Sequence, residues 1–138
     1  MLEKLKEQLI RHEGLRLKPY RCTANKLTIG VGRNLDDVGI SEDEALILLE
    51  NDIIKVQRQA ENFPWFLQLN EERQCVILNM IFNLGLHGFL KFKETIRYLE
   101  TGQYEQAAIE MLESKWADQV GERAKELSKI MFSGTFTT

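Results

Sequence analysis

Three side chains in one short stretch have the types needed for acid–base chemistry. They are the carboxyl of Glu13, the thiol of Cys22 and the hydroxyl of Thr28. Eight residues separate the first two and five separate the second two. A carboxyl that keeps its proton can hand it to a leaving group. A thiol and a hydroxyl beside it can hold a water. The stretch closes with Thr28-Ile29-Gly30-Val31-Gly32, a strand-like run broken by two glycines that leave room for a ligand near the backbone. The spacing suits a helix end followed by a hairpin folded back over it, with the three side chains facing one space. A solvated glutamate, a packed cysteine and a ligand-free bend would read the same way from position alone. His12 and His87 have no metal-ligand spacing between them and read as structural or solvent-facing.

The elements that must position these groups follow from periodicity. Leu2, Leu5, Leu9 and Ile10 recur at helical spacing, which predicts an amphipathic helix over 2–12 with Gly14 as its terminator. Glu13 then sits at the negative end of the helix dipole, which disfavours its anion. Pro19, Gly30 and Gly32 exclude a helix over 17–33, so this region reads as short strands with a turn at Thr23-Ala24-Asn25-Lys26. A polar loop carrying Asp36 and Asp37 follows. Ser41-Glu42-Asp43-Glu44 forms a capping box and opens a helix to about residue 61. Asn70 caps a very apolar helix over 71–84 that Gly85 interrupts, and its composition makes it central. Shorter helices follow at 87–90, 93–100, 106–113 and 123–132, the last stopped by Gly134, and the end from Gly134 to Thr138 is expected to fray.

The fold class is therefore α+β and mostly α. A single domain over 1–138 carries a smaller β-containing lobe at about 13–50 and a connecting helix at about 42–61. The helical lobe takes in about 62–138 and the N-terminal helix 2–12. A cleft is expected between the lobes.

Composition narrows the function classes. No apolar run approaches the roughly 18 residues of a membrane span. The first residues alternate charge with leucine and lack the apolar centre of a signal peptide, so synthesis and retention in a cytoplasm are expected. Cys22 and Cys75 are the only two cysteines, and a reduced pair fits that compartment. Net charge is −3, yet residues 1–33 hold eight Lys or Arg against three Glu, which makes that segment +5 and the remainder −8. Such a segment would draw an anionic polymer, although an ordinary solvated helix face gives the same count. The overall acidity speaks against a dedicated nucleic-acid binder.

The Glu13, Cys22, Thr28 spacing together with Thr28-Ile29-Gly30-Val31-Gly32 resembles the phage-type lysozymes. The likeness continues through Gly39-Ile40-Ser41-Glu42-Asp43-Glu44-Ala45. It returns in Asn79-Met80-Ile81-Phe82-Asn83-Leu84-Gly85 and from Ala107 to Trp116, and it ends in Arg123-Ala124-Lys125 and Phe132-Ser133-Gly134-Thr135. It spans nearly the whole chain, in order.

The resemblance implies a two-lobed lysozyme-like fold. It implies a muramidase that cuts the β-1,4 bond between N-acetylmuramic acid and N-acetylglucosamine, without cofactor or metal. The expected partner is the glycan strand of bacterial peptidoglycan, met by a monomer with no nucleic acid and no membrane insertion. The expected setting is synthesis in a host bacterial cytoplasm and action on the periplasmic wall after release. Glu13 falls on the family's general acid. Cys22 falls where many members have aspartate and some have cysteine, and Thr28 on the third member of the triad. Asn34, Phe82, Thr95 and Glu110 fall on positions that line the saccharide site, and Arg123 on an arginine that can pair with the acid. Gly30 and Gly32 support the site.

This chain departs from the family's pattern at Arg33, where a histidine is common, and in the residue types at Asn34 and Glu110. Its loop between Gly32 and Ser41 is shorter than in the best-known member. With no second carboxyl in the triad, the expected route has Cys22 and Thr28 hold a water while Glu13 supplies the proton, which gives inversion. Asp36 or Asp37 could add negative charge from the neighbouring loop. A binding module that kept the cleft but not the chemistry is the competing reading.

Overall fold

In the computed structural model of the chain, the described residues run from 1 to 136. They form a small three-stranded antiparallel sheet and a larger set of helices, the expected α+β class. The chain divides into two compact units, residues 1–48 and the rest from Leu49 onward.

The first unit opens with α1, Leu2–Glu13. Gly14 ends it at φ 80°, a conformation that disfavours any side chain, and its N–H closes the last turn on the carbonyl of Ile10 at 2.8 Å. Glu13 is thus the last helical residue, as the sequence reading expected. The strands β1 (Arg16–Arg21), β2 (Leu27–Gly30) and β3 (Arg33–Asn34) lie in that order. Tyr20 pairs with Thr28, and Thr28 in turn with Asn34. The turn between β1 and β2 falls at the predicted residues, closed by Asn25 N–H on the Cys22 carbonyl at 2.8 Å and Cys22 N–H on the Lys26 carbonyl at 3.0 Å. Asn25 takes the left-handed conformation there, at φ 59°, which asparagine tolerates better than most residues. β3 was not foreseen, since the sequence read its second residue as the start of a loop.

The capping box at Ser41 forms in both directions. Ser41 N–H donates to Glu44 Oε1 at 2.9 Å, and Glu44 N–H donates to Ser41 Oγ at 3.1 Å. It opens α2, Glu42–Ala60. The first unit takes in α1, which the sequence reading grouped with the helical lobe. One local reason is that α1 runs directly into β1 and lays its last side chain on the sheet.

The second unit holds the hydrophobic core. After the short α3, Pro64–Leu67, comes α4, Glu71–Phe89. Asn70 caps α4 by accepting from Arg73 N–H at 3.1 Å. Gly85, at φ 75° and ψ 159°, breaks it where the sequence placed an interruption, and the helix resumes to Phe89. Val76, Ile77, Met80 and Ile81 are fully buried, so α4 is the central helix of this unit, as its composition demanded. Around it lie α5 (Lys93–Glu100), α6 (Tyr104–Leu112), α7 (Lys115–Val120) and α8 (Glu122–Ser133). Ala107 and Ala108 let α6 approach α8 closely, and Ser128 Oγ crosses to the Ala108 carbonyl at 2.8 Å. The helices α3 and α7 escaped prediction because each is too short to show a period. Of the C-terminal residues expected to fray, Thr137 and Thr138 lie outside the described range, while Gly134 is held by Asn70 Nδ2 on its carbonyl at 2.9 Å.

Candidate active site

Glu13 is exposed at the end of α1, and its carboxyl stands where a side chain on Gly32 would be. A Cβ built on Gly32 would stand 2.7 Å from Glu13 Oε2 and 3.0 Å from its carboxyl carbon. The space beside Gly32 is therefore filled by the acid. Gly30 differs, because a Cβ there meets nothing within 4 Å, which leaves its backbone open to an approaching ligand.

Cys22 and Thr28 meet across the β1–β2 hairpin. The N–H of Lys26 and then that of Ala24 stabilise the sulfur as an anion and hold the thiol below its ordinary pKa, and the Thr28 hydroxyl adds a smaller effect in the same direction. The turn thus acts on Cys22 as a set of backbone donors converging on an anion. Thr28 is 3% exposed, and its Oγ1 donates to the Lys26 carbonyl at 2.8 Å. One hydroxyl proton serves one acceptor at a time. While it points at that carbonyl, the lone pairs of Oγ1 are free to accept; turned toward the sulfur, it stabilises the thiolate.

The two loop carboxylates suggested as extra negative charge are already engaged. Asp36 Oδ2 accepts from Leu27 N–H at 2.7 Å and from Arg21 at 3.5 Å. Asp37 accepts from Lys26 at 3.3 Å and from Asn34 Nδ2 at 3.0 Å. Asn34 is committed to the same turn, since its Oδ1 accepts the Asp37 N–H at 3.0 Å. The basic surplus of residues 1–33 is likewise reduced, with Arg21, Lys26 and Arg33 each in an ion pair with an acid beyond that segment.

In the second unit, Phe82 lines an apolar pocket of about 370 Å³ with Leu49, Ile53, Leu78 and Arg123. Arg123 lies against Asn79, donating from Nε at 2.9 Å and from Nη2 at 2.7 Å to its Oδ1. Thr95 and Glu110 share a different groove of about 490 Å³, beside Phe92 and Trp116. Sequence reasoning had put Phe82 with this pair in one saccharide-lining set; the second unit distributes them over two hollows. Thr95 is buried. Cys75 is a free thiol, as is Cys22. Dehydration of its sulfur, with the charges of Glu72 and Glu71 behind it, pushes the Cys75 thiol upward. Among the described residues, no group of three or more His, Cys, Asp or Glu is placed to hold a metal ion. No single helix there is long and apolar enough to cross a membrane.

One participant escaped the sequence reading. Glu44, read only as a capping residue, also accepts from Arg33 Nη1 at 2.8 Å. That hydrogen bond and the capping N–H of Ser41 hold its carboxyl down at about pKa 2. No sequence signal marks a pairing eleven residues apart.

The Glu13 carboxyl thus stands beside the turn between β2 and β3, and the thiol–hydroxyl pair lies on the hairpin before it. The family model described as phage lysozyme matches residues 10–129, and the chain belongs to that family. It is similar to "Probable T4-type lysozyme 1" of Dictyostelium discoideum, at 26% identity over 98% of this chain and 97% of that one. It is 32% identical to an endolysin of Acyrthosiphon pisum secondary endosymbiont phage 1, over 78% of this chain and 73% of the other. The SAR-endolysin of Escherichia phage Mu matches at 27%, over 91% and 72%. The chain is a lysozyme, an enzyme that degrades peptidoglycan.

Proposed function

We propose that the protein cleaves the β-1,4 bond between N-acetylmuramic acid and N-acetylglucosamine with inversion, Glu13 acting as general acid. Its carboxylic proton passes to the glycosidic oxygen as the bond from that oxygen to the anomeric carbon breaks. A water on the opposite face of the sugar attacks the same carbon. That water donates one hydrogen bond to Thr28 Oγ1, whose own proton is occupied by the Lys26 carbonyl, and gives its other proton to the Cys22 sulfur. Glu13 ends as carboxylate and Cys22 as thiol, and exchange with solvent resets both. The observation that carries this reading is the Glu13 carboxyl beside Gly32, at the turn that leaves the strand carrying Thr28, with Cys22 across the hairpin from Thr28.

The lowered thiol supports a base role for Cys22. A thiol of ordinary pKa would be mostly protonated near neutrality, whereas the hairpin amides favour the anion that accepts the water's proton. Gly30 leaves its backbone open to the sugar. Phe82, Thr95 and Glu110 are kept as glycan contacts on the second unit, with Arg123 supporting through Asn79. Asn34 shapes the loop through its turn with Asp37. The enzyme works as a monomer on the cell wall, after synthesis in a host cytoplasm.

The test is Glu13→Gln on purified peptidoglycan, read by mass spectrometry of the products and by NMR of the first-formed anomer. Folded Glu13→Gln should release no muramic-acid reducing ends, and the parent should release the inverted anomer first. A folded variant that still hydrolyses removes Glu13 from the role of acid. A retained anomer from the parent replaces the held water with a covalent route. Binding of peptidoglycan by the parent without release of reducing ends would leave only a binding module.

A further inference from the structure

We propose that the Arg33–Glu44 ion pair is a positioning device for the acid: it fixes β3, and through it Gly32, as the platform on which the Glu13 carboxyl rests. The inference rests on the assignment of Glu13 as general acid and adds two positioning residues to it.

Several observations converge. Gly32 is the residue directly before β3, and the carboxyl of Glu13 fills the space where its side chain would stand. The strand itself is only two residues long, held in the sheet by pairs Thr28 with Asn34 and Ile29 with Arg33. A ladder that short does not fix an edge by itself. On its other side, Arg33 Nη1 reaches the Gly39 carbonyl at 3.2 Å and Glu44 Oε1 at 2.8 Å. Glu44 is in turn fixed at the start of α2 by the reciprocal contacts with Ser41. A continuous set of contacts therefore runs from the first turn of α2, through Arg33, to the peptide under the acid. Arg33 and the Ser41 N–H hold the Glu44 carboxyl below its ordinary range, at about 2.

The geometry separates this role from plain stabilisation. Both partners are about 40% exposed, and an ion pair so solvated contributes little to global stability. Positioning is steeper: displacing a reacting group by about 1 Å costs on the order of a hundredfold in rate. One nitrogen of Arg33 makes both contacts, so a lysine ammonium can replace it, whereas an uncharged side chain of similar length cannot.

The experiment compares Arg33→Met, Arg33→Lys and Glu44→Gln with the parent. Hydrolysis is measured on soluble peptidoglycan fragments, and the Gly32 amide is followed by NMR as pH is varied. In the parent, the Gly32 amide should respond to protonation of Glu13, and that response should vanish in Glu13→Gln. Arg33→Met should melt close to the parent, lose on the order of tenfold in kcat with KM nearly unchanged, and lose most of the Gly32 response. Arg33→Lys should recover most of both. Glu44→Gln keeps a neutral Oε1 that can still accept from both Ser41 N–H and Arg33 Nη1, so it should fall between the parent and Arg33→Met, and Arg33→Gln replaces Arg33→Met if that variant does not fold. The proposal is overturned if kcat is unchanged in Arg33→Met, or if kcat falls while the Gly32 amide still responds as in the parent. Retained hydrolysis in Glu13→Gln would instead sink the assignment of the acid, and the Gly32 response in Arg33→Met would still decide whether the ion pair places the carboxyl.

Discussion

Replacing Gly32 with alanine tests the placement of the acid with a single methyl group. The backbone there has φ +68°, a left-handed conformation that costs a side chain about 1–2 kcal/mol. The new Cβ would also stand 2.7 Å from Glu13 Oε2, where ordinary contact begins at 3.4 Å. The carboxyl must therefore retreat by about 0.7 Å, the difference between those distances. It can do so cheaply, because it is the free end of a flexible side chain, so little stability is lost beyond the backbone strain. The rate should suffer more, by roughly 10- to 100-fold, since a shift near 1 Å in a reacting group is worth about the upper figure. Gly102→Ala supplies the control for strain alone, with φ +72° and nothing within 4 Å of its Cβ. Both variants should melt a few degrees below the parent, on the order of 3–8 °C for this strain in a chain of this size. Only Gly32→Ala should lose release of reducing ends from purified peptidoglycan, measured well below either melting temperature. If the two variants hydrolyse equally well, the carboxyl on Gly32 is not the group that protonates the bond.

Three further outcomes follow from other contacts. Cys22 should be alkylated by iodoacetamide faster than Cys75 at neutral pH, because hairpin amides lower the first thiol while dehydration and then Glu72 and Glu71 raise the second; peptide mass spectrometry reads the order, and faster labelling of Cys75 would contradict it. Glu44 has a folded pKa of about 2 against an ordinary 4.5, held there by Arg33 first and the Ser41 N–H second, while the pair is too solvated to weigh much in global stability. Carboxyl-carbon NMR titration should place the Glu44 midpoint of the parent well below that of Arg33→Met, and equal midpoints would refute the pairing. Arg73 donates to the Met131 carbonyl at 2.8 Å and the Phe132 carbonyl at 3.1 Å, with its guanidinium 4.4 Å from the centre of the Tyr104 ring. Arg73→Ala should therefore cost about 2 kcal/mol of stability by denaturant titration and leave kcat unchanged, whereas an unchanged midpoint would mean that the end of α8 is held by other contacts.

Much of the architecture was legible from one-dimensional signals. Gly14 ends α1 at the predicted residue because only glycine sits comfortably at φ 80°. Ser41 and Glu44 form their capping box because that exchange is satisfied within four residues. The burial of α4 follows from its apolar residues Val76, Ile77, Met80 and Ile81 at helical spacing. The approach of Cys22 to Thr28 was also readable, since turn and strand fix their local spacing. Short elements were not: α3, α7 and β3 are too brief to display a period, and long-range contacts decide whether such segments are regular.

What the sequence by itself determined is thus the set of groups and the local frame that carries them: a glutamate closing a helix, a thiol and a hydroxyl on one hairpin, and glycines where side chains would be strained. Only the folded chain decided which of these groups meet. It laid the Glu13 carboxyl on Gly32 rather than leaving that space to a ligand, turned the Lys26 and Ala24 amides toward the Cys22 sulfur, paired Asp36 and Asp37 with neighbouring cations, and gave Arg33 to Glu44. The physical reason is range. Capping and turn chemistry are settled within a few residues, whereas contacts between side chains of separate elements depend on how those elements pack, and no spacing along the chain encodes that.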